Sequence, residues 1–265
     1  MLELEHELRD LIAPYAGEIG EARPARRGFS ADFTGVVETD RGTMFLKAVR
    51  ADGREVESLH REMEINPYVR EVAPALRWAG ESDSWHALLF DYVHAGTSSF
   101  LPASPDLPTI VRAVDSIGRI ECPAVAEAWP ETRWNRFTDD LGVKLFAGGA
   151  LLHTDINPSN ILIQPDGVAW VVDWSWPTRG AAFIDAACLV IQLVASGHSS
   201  AQAEEWANGI SAWRGADPAA LDAFAAASVR MYRRAEERFP ASWRTAMTEA
   251  VSAWADHRGA MPSAA

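Results

Sequence analysis

At 265 residues and 48% hydrophobic content, the chain is long enough for one large domain or two smaller lobes, each with its own core. A formal charge of −13 argues against sequence-independent binding to nucleic acid or to an anionic membrane, and no apolar run is long enough to span a bilayer. The acidic, amphipathic start (residues 1–8) is the opposite of a signal peptide. Cys122 and Cys188 have no metal-ligand spacing, which predicts a reduced cytoplasmic protein with both thiols buried as filler.

Residues 2–13 have helical periodicity. A β-rich region follows, in which residues 34–38 and 44–49 alternate in polarity and Thr39-Asp40-Arg41-Gly42 supplies a hairpin turn. Asp52-Gly53-Arg54-Glu55 predicts a capping box, and Val56, Leu59 and Met63 give the next helix an inward face, ended or kinked by Pro67. Residues 85–93 read as a mostly apolar strand. Gly, Ser and Pro then take over as far as Pro108, so the lobe boundary is set here: residues 1–93 form the first lobe and 94–265 the second.

In the second lobe, residues 107–121 and 131–147 read as helices and 182–195 as a largely buried one. From residue 200 the chain is Ala-rich and helical in three segments, broken near Gly215–Pro218 and Phe239–Pro240. A β-rich first part and a helical second part with one embedded hairpin predict an α+β fold in two lobes.

The most informative segment is His153-Thr154-Asp155-Ile156-Asn157-Pro158-Ser159-Asn160, followed thirteen residues later by Asp173. Phosphoryl transfer needs this set: a carboxylate, Asp155, at the attacking hydroxyl, and an amide and a second carboxylate, Asn160 and Asp173, holding Mg²⁺ on the nucleotide phosphates. Residues 161–163 and 168–172 read as short strands around the turn Gln164-Pro165-Asp166-Gly167. A hairpin there returns Asp173 toward Asn160, offering a small hard cation two oxygen ligands.

Only two lysines occur, Lys47 and Lys144. Lys47 lies within the apolar run Phe45–Val49, where burying an ammonium is costly without anionic partners. Phosphate oxygens and Glu62 are the expected partners, with Glu55 the rival. The loop from Arg27 to Gly35, with Ser30 in it, has two glycines and is the candidate phosphate cover, although it lacks G-x-G-x-x-G. Residues 67–198 carry 15 acidic and 8 basic side chains, against 8 and 7 in residues 199–265. That acidic excess around the catalytic segment suits a cationic substrate or, equally, a solvated surface. Asp139, Asp140, Glu204, Glu205, Glu236 and Glu237 are the paired acids available to a polycationic acceptor.

Together, Lys47, Glu62, the strand ending at Asp91-Tyr92-Val93, the His153–Asn160 loop and Asp173-Trp174 resemble the aminoglycoside phosphotransferase family, from about residue 25 to 195. The resemblance implies a bilobal, protein-kinase-like fold in which a small β-rich lobe clamps ATP or GTP with Mg²⁺ over a helical lobe. It implies transfer of the γ-phosphoryl group to a hydroxyl of a small molecule, with antibiotic modification among the possible roles. By the same resemblance, His153 and Asp155 belong to the catalytic loop and Asp155 orients or accepts the hydroxyl proton. Asn160 and Asp173 hold the metal, Lys47 contacts the α/β-phosphates beside Glu62, residues 91–95 form the hinge for the base, and Asp185 braces the loop. Thr154 stands where the family commonly has Gly, and a β-branched residue disfavours positive φ, so a different loop geometry is expected. Trp174-Ser175-Trp176 replaces the Phe-Gly of protein kinases, with both indoles candidates for lining the acceptor pocket. Alternatives are a choline-, homoserine- or sugar-kinase-like metabolite kinase, or a non-catalytic nucleotide-binding protein of the same fold.

Overall fold

The computed structural model describes residues 4–25 and 31–261. The chain divides into two compact units, Met1–Ala95 with Trp170–Trp176, and Gly96–Ala169 with Pro177–Ala265. The sequence reading left residues 170–176 in the second lobe, but they group with the first unit.

The first unit contains α1 (His6–Ala16), β1 (Ile19–Pro24), β2 (Phe33–Thr39), β3 (Gly42–Arg50), α2 (Val56–Ile65), β4 (Leu76–Glu81) and β5 (Trp85–Asp91). Its strands form an antiparallel sheet in the order β1-β2-β3-β5-β4. The β2–β3 hairpin closes where expected, with Thr39 opposite Gly42 and the Thr39 hydroxyl donating to the Gly42 carbonyl at 2.8 Å. Period-two alternation then sorts the side chains. Leu46, Ala48, Ala87 and Leu89 pack with Leu8 and Ile12 of α1, whereas Phe45, Val49, Leu88 and Phe90 pack with Val56, Leu59 and Met63 of α2.

One local expectation changes and another holds. The capping box at Asp52 does not form: Gly53 N–H donates to Arg50 O at 2.8 Å, closing a turn at the end of β3, so α2 starts only at Val56. The helix ends at Ile65, and Pro67 sits in a short 3₁₀ turn, Asn66–Tyr68. The edge strands β1 and β4 escaped the sequence reading because neither presents an unbroken apolar face.

The second unit begins with β6 (Gly96–Thr97), α3 (Leu107–Ile117), α4 (Asp140–Phe146), β7 (Ala150–Leu152) and β8 (Ile161–Ile163). β9 (Ala169–Val171) crosses between units, and β10 (Thr178–Gly180) precedes α5 (Ile184–Ala195), α6 (Ser200–Ala207), α7 (Ser211–Arg214), α8 (Pro218–Arg238) and α9 (Ser242–His257). β7 pairs with β10 and β6 with β8, all antiparallel. The turn after β8 is closed by Gln164, whose N–H donates to Val168 O and whose carbonyl accepts from Gly167 N–H, both at 2.9 Å; Gly167 adopts φ 86°. The predicted helix over 131–147 is broken. Glu131 N–H is taken by Arg179 O at 2.8 Å, residues 135–137 make one 3₁₀ turn, and α4 starts after Asp139, whose carboxylate accepts from Gly142 N–H at 2.9 Å.

The core of this unit is aromatic and centred on α8. Phe224 meets the rings of Trp134, Phe146 and Phe183 at 4.7, 5.7 and 5.8 Å, and the Trp134 indole donates to Ser228 Oγ at 2.9 Å. Cys122 and Cys188 are unbridged; the Cys188 thiol is buried as expected, and burial pushes its pKa well up, whereas the Cys122 thiol is far less enclosed. Among the described residues no helix is long and apolar enough to cross a membrane.

Gly35 was read as part of a phosphate-covering loop but lies inside β2, opposite Pro24 and Leu46. A Cβ there would fall 2.4 Å from the Arg23 carbonyl, so the glycine serves the close approach of β1 to β2. Gly35→Ala is therefore expected to lower unfolding stability by about 2 kcal/mol through forced separation of these strands, read as a lower urea midpoint at constant slope.

Candidate active site

Lys47 sits on β3 between Phe45 and Val49, and strand alternation turns it to the face that α2 covers. Its ammonium uses all three of its donors. It lies 2.7 Å from Glu62 Oε2 on α2, 2.6 Å from Asp173 Oδ1 and 2.5 Å from Ser175 Oγ. Lys47 and Glu62 are buried, whereas the Asp173 side chain is 35% exposed. Burial alone would lower the Lys47 pKa, but the charges and hydrogen bonds of Glu62 and Asp173 outweigh it and hold the group above its ordinary value. One ammonium thus faces two carboxylates, and burial raises the Glu62 pKa against the pull of Lys47. Asp173 takes φ 64°, a left-handed conformation that Asp tolerates better than most residues.

In the second unit, the segment after β7 carries the catalytic-loop motif. Asp185, in the first turn of α5, accepts from the backbone N–H groups of His153 at 2.9 Å and Thr154 at 2.7 Å. Asp185 is a buried brace, as the resemblance implied, and burial raises its pKa against those hydrogen bonds. His153 is also buried, and its Nδ1 accepts from Asp155 N–H at 3.3 Å. Asp155 alone in this group is exposed. Its carboxylate receives Asn160 Nδ2 at 2.8 Å and Asn157 Nδ2 at 3.1 Å, so two amides fix its orientation. Asn157 was not singled out from the sequence, although its place two residues after Asp155 is an Asx-type signal.

Thr154 overturns an expectation. The loop keeps the left-handed conformation usually left to glycine: Thr154 has φ 65°. A β-branched residue there costs about 1–3 kcal/mol, and the surroundings offset it. Its N–H is held by Asp185, its hydroxyl donates to His153 O at 2.6 Å, and the same hydroxyl receives Arg133 Nη2. Arg133 is in turn held by Glu131, whose carboxylate also accepts from Thr178 Oγ1 at 2.8 Å. Despite its burial, Glu131 stays below the usual carboxylate range because Arg133 and these hydrogen bonds favour its charge. Glu131 and Arg133 thus brace the loop at Thr154 from a segment misread as helix, and only the fold reveals them.

The remaining predicted residues are dispersed. Ser30 lies outside the described residues. Asp91 ends β5 with its carboxylate committed to Arg77 through two 2.7 Å hydrogen bonds. Trp174 is buried, donating to Val171 O at 3.1 Å, whereas Trp176 is 43% exposed with the Arg61 guanidinium over its ring. Among the paired acids, Asp139 caps α4, and Glu204 accepts from Arg258 at 2.6 Å and from the Trp254 indole at 2.8 Å.

An antiparallel β unit and a helical unit, with this lysine–glutamate pair and this loop, form a protein-kinase-like fold of the kind found in small-molecule phosphotransferases. An aminoglycoside phosphotransferase from Alicyclobacillus acidocaldarius is similar with a TM-score of 0.67 at 12% identity, over 98% of this chain and 96% of that one. A spectinomycin phosphotransferase, solved with ADP and spectinomycin, gives 0.61 at 11% identity over 97% and 95%. The choline kinase LicA from Streptococcus pneumoniae gives 0.61 at 13% identity over 94% and 98%. No family model matches the chain. Nor does any curated protein sequence.

Two stability outcomes follow. Lys47→Met leaves Glu62 buried without its cation and is expected to cost about 3–5 kcal/mol in urea unfolding, part of it recovered in Lys47→Met/Glu62→Gln. Thr154→Gly trades the left-handed cost against lost hydroxyl bonds and is expected within about 1 kcal/mol of the native protein. Thr154→Val keeps the strain without the bonds and is expected to lose about 2 kcal/mol; the reverse order of the two midpoints would contradict this account of the loop.

Proposed function

We propose that the protein is an ATP- or GTP-dependent O-phosphotransferase that moves the γ-phosphoryl group onto a hydroxyl of a small molecule. The observation that carries this reading is the buried Lys47 ammonium held between Glu62 and the partly exposed Asp173. The exposed Asp155 carboxylate, fixed by Asn157 and Asn160, supports it, as does the likeness in fold to enzymes with nucleotide or hydroxylated substrates in their names.

In this reading Lys47 contacts the nucleotide phosphates and Glu62 keeps its ammonium charged and aimed. The Asp173 carboxylate and the Asn160 amide oxygen are hard donors of the kind that Mg²⁺ takes. When bound, the metal neutralises charge on the phosphate oxygens. Asp155 orients the acceptor hydroxyl and receives its proton. His153 positions Asp155 through its backbone and does not touch substrate. The main chain of residues 91–93 reads the base. The acceptor is small and hydroxylated, and the acidic middle of the chain favours a cationic one. Glu204 and Asp139, being committed to structural contacts, are poor contributors to a polycation pocket.

ADP release measured against amino alcohols, hydroxylated amino acids, sugars and aminoglycosides tests the proposal and identifies the acceptor class. Asp155→Ala is expected to lower kcat at least about a hundredfold while nucleotide still binds. Asp173→Ala is expected to abolish Mg²⁺-dependent nucleotide binding in calorimetry. Stabilisation by Mg²⁺-nucleotide without transfer to any acceptor would instead mark a non-catalytic binding protein.

A further inference from the structure

The sheet face covered by α2 continues beyond its apolar patch. In β5, His86 alternates onto the same face as Leu88 and Phe90, and Glu81 of β4 is its cross-strand partner, so both side chains share that face. On α2, His60 lies one turn from both Val56 and Met63, which already point toward the sheet. Three elements therefore bring two imidazoles and a carboxylate to one place. His60 Nε2 is 3.4 Å from His86 Nδ1, and His86 Nδ1 is 3.4 Å from Glu81 Oε2. The three ligand atoms all lie within 4.8 Å of one another.

Zinc-bound imidazole nitrogens and carboxylate oxygens stand about 2.0–2.2 Å from the metal, which makes each edge of a tetrahedral site about 3.4 Å. Two edges already have that length. The third closes by rotation of Glu81, whose side chain is 74% exposed and free to turn in solvent. Nδ1 of His86 faces a ring nitrogen and a carboxylate at once, yet carries at most one proton to share between them. A single cation satisfies all three.

We propose that His60, Glu81 and His86 bind one divalent transition-metal ion of the zinc type, with solvent in the fourth position. Two nitrogen donors and one carboxylate suit zinc and its neighbours and disfavour Mg²⁺ or Ca²⁺, which take oxygen. The ion clamps α2 to the β4–β5 hairpin. Since α2 also carries Glu62, the clamp steadies the helix that partners Lys47. The site uses none of the residues assigned to nucleotide or acceptor.

The test uses the full chain, treated with chelator and free of nucleotide, titrated with Zn²⁺ alone. One ion per chain is expected by calorimetry, with a rise in Tm, and Co²⁺ in its place should give the visible absorption of a tetrahedral site. His60→Ala and His86→Ala should each weaken binding at least about tenfold and remove the rise in Tm. Glu81→Gln, at an exposed position that folding does not depend on, should also weaken it. Absence of Zn²⁺ binding by the native chain overturns the proposal, as does unchanged affinity in the His60→Ala/His86→Ala variant or, should that variant not fold, in Glu81→Gln. With no nucleotide in the assay, such a failure leaves the phosphotransferase reading untouched.

Discussion

An ammonium buried under a helix keeps its charge only if carboxylates lie within hydrogen-bond reach. Lys47 has Glu62 from α2 and Asp173 from a segment 126 residues further along the chain. That requirement fixes the side of the sheet to which β3 turns its lysine and the face of α2 that must look inward. It also explains why Trp170–Trp176 groups with the first unit although its sequence neighbours belong to the second. Asp173 accepts a left-handed backbone to stay there, and Ser175 supplies the last acceptor for the ammonium.

The loop from His153 to Asn160 is held on a different principle. Here the backbone is pinned in place by buried side chains. Asp185 takes two successive N–H groups, and Glu131, through Arg133, secures the hydroxyl of a threonine in a conformation its own side chain disfavours. The outcome is a rigid frame around one exposed carboxylate, Asp155, whose two oxygens are set by neighbouring amides. Rigidity of this kind suits chemistry that depends mainly on positioning.

Legibility from sequence followed burial. The β2–β3 hairpin, β5 and α5 were readable because each buries a continuous apolar set, and a period of two or 3.6 survives in such runs. The edge strands β1 and β4 were not readable, since four of the six residues of β1 and every second residue of β4 are exposed, and any polar residue serves there. The helix expected over 131–147 failed because Glu131 spends its backbone N–H and its carboxylate on Arg179, Arg133 and Thr178, partners that the local pattern cannot reveal. Gly35, read both as the end of a loop and as part of the strand over 34–38, belongs to the strand and is a point of close strand contact.

By itself the sequence determined the kinds of chemistry present. A scarce lysine in an apolar strand demands anions, and Asp155, Asn160 and Asp173 are oxygen-bearing side chains at a fixed spacing. These follow from side-chain identity and short-range pattern, which tertiary context does not alter. The tertiary structure alone brought Asp173 to the ammonium beside the expected Glu62, and it alone placed Glu131 and Arg133 behind the loop that Asp185 braces. It alone brought His60, Glu81 and His86 together from three elements. Such meetings depend on strand register and helix placement, fixed by the packing of the whole core and by no local stretch of residues.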